Sequence, residues 1–376
     1  MNKTMIYEIN SLSDYIKNIS KYNLKDYISR GENYKYEKLA ASAFRYSYPL
    51  KFHQQINEFY HIIGNNITDM QRDNFIAFSQ HHGIPTNLLD FSKLPLVSLF
   101  FACYDNKETN GSGYVYFIDN TRLINISEKV VKNNILQMLL DLSPNSISII
   151  EELYKYCYTH VSEITDIIIS TFRKLKHNPN TRKKYKSIFK LVDELGKDEY
   201  KIFDEYKLII NKLVEINKED IYGITDFHLY DDYTKKFQDI TYEMKEKTQY
   251  VFLDLILLLI VVLKIVILEL YDFSHEKQIN NIELPFYLSY YPPNILTRVD
   301  NQSSLFIYQL YYDDSLADFY IDDTQNRIVQ SITPDFVFKI NNQNDILNDL
   351  DMMGINLKYI YNDYDNIAKY IKNKNM

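Results

Sequence analysis

The 376-residue chain has no tryptophan, two cysteines and eight glycines. Cys103 and Cys157 sit in apolar helical contexts, and two such residues build neither a disulfide framework nor a zinc site. No metal centre is expected. There is also no excess of positive charge: 42 Lys and Arg stand against 50 Asp and Glu, a net charge of −8, with a sequence pI of ≈ 5.6. Broad, sequence-independent nucleic-acid binding needs a basic surface to neutralise phosphates, so it is not expected. The chain carries no P-loop, no G-x-G-x-x-G, no H-E-x-x-H and no G-x-S-x-G, which sets aside ordinary nucleotide triphosphatases, Rossmann dehydrogenases, zincins and serine hydrolases. The opening stretch, MNKTMIYEINSLSDYIKN, lacks the apolar centre of a signal peptide, so a reducing cytoplasm is the expected compartment.

What is present is a large apolar fraction, 46%, and 35 tyrosines. The first is ample for a core. The second accompanies many Asn, Ile and Lys and reads as a bias towards A/T-rich codons, so the tyrosines carry little functional information. A helical pattern opens the chain at Ile9, Leu12, Tyr15 and Ile16. A short strand is predicted at 26–29, and a helix over 52–82 with Ile56, Phe59, Tyr60 and Ile63 on one face. Pro85 breaks the helix, 87–90 is strand-like, and Pro95 opens an apolar helix carrying Leu96, Val97, Phe100 and Phe101. A strand at 114–119 follows. From there long helical patterns with few Gly or Pro run to about residue 280, and strand signals return at 295–340. Two closing helices are predicted, the first placing Ile346, Leu350 and Met353 on one side with Gly354 as its cap. This order implies an α+β fold: a mixed sheet assembled from N-terminal (1–120) and C-terminal (281–376) segments, with a helical insertion at 121–280.

The run VFLDLILLLIVVLKIVILEL, 251–270, is about long enough to cross a bilayer, which takes roughly 20 apolar residues. Lys264 near its centre costs roughly 2.5–3.5 kcal/mol for insertion, which the flanking Leu and Ile offset. Topology favours a buried helix instead: strands before and after the insertion that share one sheet cannot lie on opposite sides of a membrane. Membrane contact and an apolar partner interface are the alternatives.

Four constellations carry possible chemistry. Arg30-Gly31 follows a strand; an Arg fork can grip an anion and Gly can admit a ligand to the backbone, although a surface turn with an ion pair has the same sequence. His81-His82 precedes a turn. Adjacent histidines cannot share a helical face, so they make a poor metal pair, but either could act as acid or base, including in nucleic-acid cleavage, or serve the core. Asp90 and Ser92 precede the apolar helix, where short oxygen side chains cap orphan amides or flank an anion site. Arg298 and Gln302 lie four residues apart just before a strong strand. The basic stretch 173–190 reads as a solvated helix–turn–helix face.

The segment FSQHHGIPTNLLDFSKLPLVSLFFA resembles the central signature of the FRG domain family, A-Q-H-x-G-x-P-T-R-L-L-D-W-T followed by P-L-x-A-L-x-F-A. YISRGENYKYEKLAASAFR resembles the family's F-R-G opening with its later Tyr36, Leu39 and Arg45. TRVDNQSSLF resembles R-I-x-x-Q-x-G-x-F, and ILNDLDMMGINLKYIYNDYDNIAKYI resembles the closing helices. Ser29, Asn87, Phe91 and Ser304 replace the family's Phe, Arg, Trp and Gly. A weaker, fold-level similarity to ADP-ribosyltransferases implies NAD as a substrate. On that mapping Arg30, with Gly31, His81, Ser92 and Arg298, would hold the dinucleotide. Gln302 would sit at the reacting ribose, with Asp90 and His82 as further catalytic candidates. It implies an effector or toxin in bacterial stress or phage defence. The alternative is a non-catalytic module that binds a ligand, a macromolecular target or a regulatory protein through its insertion.

Overall fold

The computed structural model describes residues 5–36, 38–45, 52–104, 111–127, 131–141, 146–175, 179–194, 206, 208–209, 212, 250–273, 279–293, 301–313 and 327–374. The chain opens with β1 (Met5–Ile9), α1 (Leu12–Lys21), β2 (Tyr27–Glu32), α2 (Phe52–Ile63), α3 (Asp69–Asp73), α4 (Phe75–His81), β3 (Leu88–Ser92), α5 (Pro95–Cys103), β4 (Gly113–Asp119) and β5 (Leu123–Ile126). Helices follow: α6 (Ile135–Leu140), α7 (Ile147–Thr159), α8 (Val161–Leu175), α9 (Pro179–Lys184), α10 (Lys186–Glu194) and α11 (Tyr250–Phe273). The chain closes with β6 (Ile279–Ile282), β7 (Tyr287–Tyr290), β8 (Ser304–Tyr308), β9 (Tyr311–Asp313), β10 (Arg327–Gln330), β11 (Phe336–Ile340), α12 (Gln343–Met352), α13 (Leu357–Tyr361) and α14 (Tyr364–Lys374).

The fold is α+β, and its main sheet interleaves both ends of the chain in the order β1-β11-β4-β2-β3-β8-β7-β5. β1 is parallel to β11, β5 is parallel to β7, and the pairs between them are antiparallel. A second sheet has the order β6-β10-β9. Buried glutamines tie the two together: Gln309 accepts from Ala41 N at 2.8 Å and donates to Gln330 O at 2.7 Å, and Gln330 donates to Phe286 O at 2.7 Å. Buried amides of this kind hold a register because each unmet group costs about 1–3 kcal/mol.

Alternation along β4 divides the core. Val115 and Phe117 face one apolar cluster with α1, α5 and α12, and Ile118 faces the other, which runs on into the insertion. That second cluster includes every side chain of α11 from Leu255 to Ile267 except Lys264. Residues 255–267 of the apolar run are therefore part of a buried core helix packed on α6, α7 and α8. Among the described residues no helix is long and apolar enough to cross a membrane. β5 lies within 121–280 yet pairs with β7, so the strands flanking the helices belong to one sheet.

Local chemistry explains several departures from the sequence reading. Ile9 ends β1 rather than starting a helix; Ser11 accepts from Asp14 N at 3.1 Å and opens α1 two residues later. The 52–82 helix is three helices, because Thr68 and Gln71 form a capping box that restarts it. Met353 is exposed rather than core, since Gly354 at φ 85° turns the chain there and Ile355 N donates to Leu350 O at 2.9 Å. The strand signal at 318–323 and Arg298 lie outside the described residues.

Candidate active site

β2 and β3 share a single register pair, Ser29 with Ser92, whereas β2 and β4 share six. Beyond that pair the two strands part. A cleft of ≈ 340 Å³ opens there, within the lower range of small-molecule sites. Residues of β2, β3, α4, α5, β8 and α13 line it, together with Pro292 and Gln302.

Arg30 spans the parting. Its Nε donates to Glu32 Oε1 at 3.0 Å, its Nη1 donates to Asp90 O at 3.0 Å, and Nη1 lies 3.6 Å from Asp90 Oδ2. Its side chain is 14% exposed. Asp90 is the exposed member, at 56%, and Gln80 Nε2 donates to its Oδ1 at 2.8 Å. Thr86 Oγ1 donates in turn to Gln80 Oε1. Glu32 is buried, and Arg45 Nη2 lies 3.6 Å from the same Oε1 that Arg30 uses. A polar chain thus runs from Arg45 through Glu32, Arg30 and Asp90 to Gln80 and Thr86. Tyr116, packed beside Glu32, has its phenol pushed up, first by burial and then by that carboxylate.

The sequence-read residues divide by placement. Arg30, Gly31, His81, Asp90, Ser92 and Gln302 all line the cleft, although residues 30 and 302 are far apart in sequence. His82 does not line it. Its ring packs 4.5 Å from Phe78 and 5.9 Å from Phe59, an aromatic contact on the flank of α4. Gly31 lines the cleft, but its missing side chain serves α5: a Cβ there would lie 1.8 Å from Ser98 O. Ser92 is a joint, donating to Gln302 O at 2.6 Å and accepting from Leu94 N at 2.9 Å ahead of α5. Gln302 has both ends of its amide engaged: Nε2 donates to Ile360 O at 3.0 Å, and Oε1 accepts from Ser304 Oγ at 3.3 Å. It fastens the approach to β8 onto α13 and brings Tyr361 to the cleft wall.

Three contributors were not picked out from the sequence. Gln80 is the Gln of the A-Q-H-x-G pattern, and the two histidines beside it carry the stronger chemical signal. Glu32 stands two residues after Arg30, on the same face of β2. Tyr361 carried no local signal. The family departures are also placed. Ser29 is fully buried, 2.9 Å from Ser98 Oγ, and Phe91 forms apolar wall. Asn87 is buried outside the cleft lining, with no partner for Nδ2 among the described residues.

Residues 22–111 match the family model of the FRG domain. The chain carries an FRG domain. The match spans β2 to α5, and so holds Arg30, Glu32, Gln80, His81 and Asp90. Gln302, Phe306 and Tyr361 lie beyond it, so the FRG cleft is completed by later chain. No curated protein and no solved structure matches the chain. Among the described residues no group of three or more His, Cys, Asp or Glu could hold a metal ion.

Proposed function

We propose that the FRG cleft binds NAD and cleaves its nicotinamide–ribose bond, by ADP-ribosyl transfer to a macromolecular target or by hydrolysis. The observation that carries this reading is Asp90: an exposed carboxylate presented to a cleft, steadied by Gln80 at 2.8 Å, and set beside an arginine. An oxocarbenium-like ribose develops positive charge at C1′ as the bond to nicotinamide breaks, and a fixed carboxylate stabilises it. The bonding pair leaves with the ring nitrogen and neutralises the pyridinium. The acceptor oxygen bonds to C1′, and its proton passes to Asp90 or to solvent. Arg30 would grip the phosphates. Gln302, neutral and engaged at both ends, is the scaffold of the wall rather than the reacting group. Consumption of NAD or marking of a target suits an effector or toxin in stress or phage defence.

The test is incubation of the pure protein and of Asp90→Asn with NAD labelled in the adenylate half, with and without cell lysate. The expected result is nicotinamide release or labelled macromolecule, reduced at least about a hundredfold in Asp90→Asn. Absence of both products from the wild-type protein would overturn the reading. The engaged amide of Gln302 favours a second one, a cleft that binds a ligand without turning it over. Saturable NAD binding with no product would establish that alternative.

A further inference from the structure

Glu32 is a buried carboxylate with one oxygen between two arginines and the other, Oε2, without a hydrogen-bond partner among the described residues. Its side chain is 2% exposed. A buried acceptor left unmet is costly, and such a group calls for an explanation. Arg30 and Arg45 both engage the other oxygen, Oε1, so the carboxylate is held in place by its cationic partners. The Nε–H of Arg30 is taken by Glu32 and one Nη1 position by the Asp90 carbonyl, which leaves Nη2 without a partner among the described residues in a side chain that lines the cleft. An unrestrained arginine has four rotatable bonds and loses their freedom when it binds; one held at Nε has already lost most of it.

We propose that Glu32 is a positioning residue. It locks the guanidinium of Arg30 through Nε so that the Nη2 end stands ready to receive an anion, and Arg45 holds Glu32 in place from behind. Glu32 touches no ligand and acts through Arg30. The ligand class is phosphate- or pyrophosphate-bearing. This rests on the reading of the cleft as a ligand site but not on NAD as the ligand, and the probes below separate the two.

The experiment uses the full-length protein, Glu32→Gln, Arg30→Met and the double variant. The probes are NAD and inorganic pyrophosphate, followed by calorimetry, with thermal melting as the folding control. Exchange of the Arg30 Nε–H with water is followed by nitrogen-edited NMR. The Nε–H of the wild-type protein is expected to exchange at least about tenfold more slowly than in Glu32→Gln, as for a proton held in a buried charge-assisted bond. Glu32→Gln should weaken pyrophosphate binding by about ten- to hundredfold, the size of losing one such bond. In the Arg30→Met background it should have no further effect, because the partner it acts through is gone. Equal losses with and without Arg30, wild-type affinity in Glu32→Gln, or no pyrophosphate binding by the wild-type protein would each overturn the proposal. Pyrophosphate binding that depends on Glu32, with no binding of NAD, would leave it standing and remove NAD from the cleft. Should Glu32→Gln not fold, the wild-type protein decides alone. Pyrophosphate must then shift the Nη resonances of Arg30 while its Nε–H stays protected; an unprotected Nε–H or unmoved Nη resonances would refute the role.

Discussion

Gly31→Ala separates two roles for the residue after Arg30. If Gly31 admits a ligand to the backbone, Ala should impair binding and leave the fold intact. The structure predicts the reverse. The added Cβ would stand 1.8 Å from Ser98 O and 2.8 Å from Ala102 N, both backbone atoms of α5. Carbon and oxygen approach to about 3.3 Å at closest, so α5 would have to retreat by about 1.5 Å. It cannot swing on a side chain, and it is also seated on Gly113, where a Cβ would meet Ala102 O at 2.0 Å. Retreat would open the core around Val97, Leu99, Phe100 and Ala102, all buried, and pull Ser98 from Ser29. Overpacking of a rigid site costs about 1–3 kcal/mol, and opening the helix seat adds to it, so the expected loss is about 3 kcal/mol or more. Against a typical total of about 5–15 kcal/mol that is a large fraction. Urea unfolding followed by circular dichroism measures it, with a lowered midpoint at unchanged slope as the expected result. Gly83→Ala is the control: φ is 85° but no atom lies within 4 Å, so only the backbone strain of about 1–2 kcal/mol applies. A Gly31→Ala protein within about 0.5 kcal/mol of wild type would refute the packing argument.

Three further outcomes follow from the geometry. Lys264, inside the buried stretch of α11 with its Nζ 3.5 Å from Leu140 O, has its pKa lowered below 10.5 by burial, an effect Asp141 partly offsets. Folding therefore opposes its charge, the unfolded chain binds more protons as pH climbs towards 10.5, and wild-type stability gains over that window. Lys264→Met should be more stable by about 1 kcal/mol at pH 7, with the margin narrowing in melts taken towards pH 10; a margin constant with pH would contradict this. Burial pushes the thiols of Cys103 and Cys157 up to about 12, so neither should react with a thiol reagent at pH 8 until the protein is unfolded; fast native labelling of either would show the burial to be wrong. Gln302→Ala removes the bonds to Ile360 O and Ser304 Oγ and should speed amide exchange across 357–361, at a cost of about 1 kcal/mol. Unchanged exchange there, with loss of any activity, would return Gln302 to the chemistry.

The sequence by itself determined the local parts: the strand at 114–119, the proline-started α5, the sheet's two contributing ends, and the FRG pattern with Arg30, His81 and Asp90. Each is written in neighbouring residues, through period-2 or period-3.6 spacing and the fixed torsion of proline. The burial of 255–267 follows from topology, because β4 and β8 lie in one sheet. What only the tertiary structure decided is which side chains meet and which are already engaged. Gln302 comes to the cleft through the register of β8 on β3, and Tyr361 through the hydrogen bond from Gln302 to α13. Two adjacent histidines meet edge to face at 5.1 Å, yet one lines the cleft and the other packs on phenylalanines. The same glycine symbol stands for ligand access or for a helix pressed against a strand, and only the 1.8 Å gap to Ser98 O tells them apart. Hydrogen-bond partners across more than two hundred residues are set by sheet register and helix docking, and neither leaves a periodic mark in the chain.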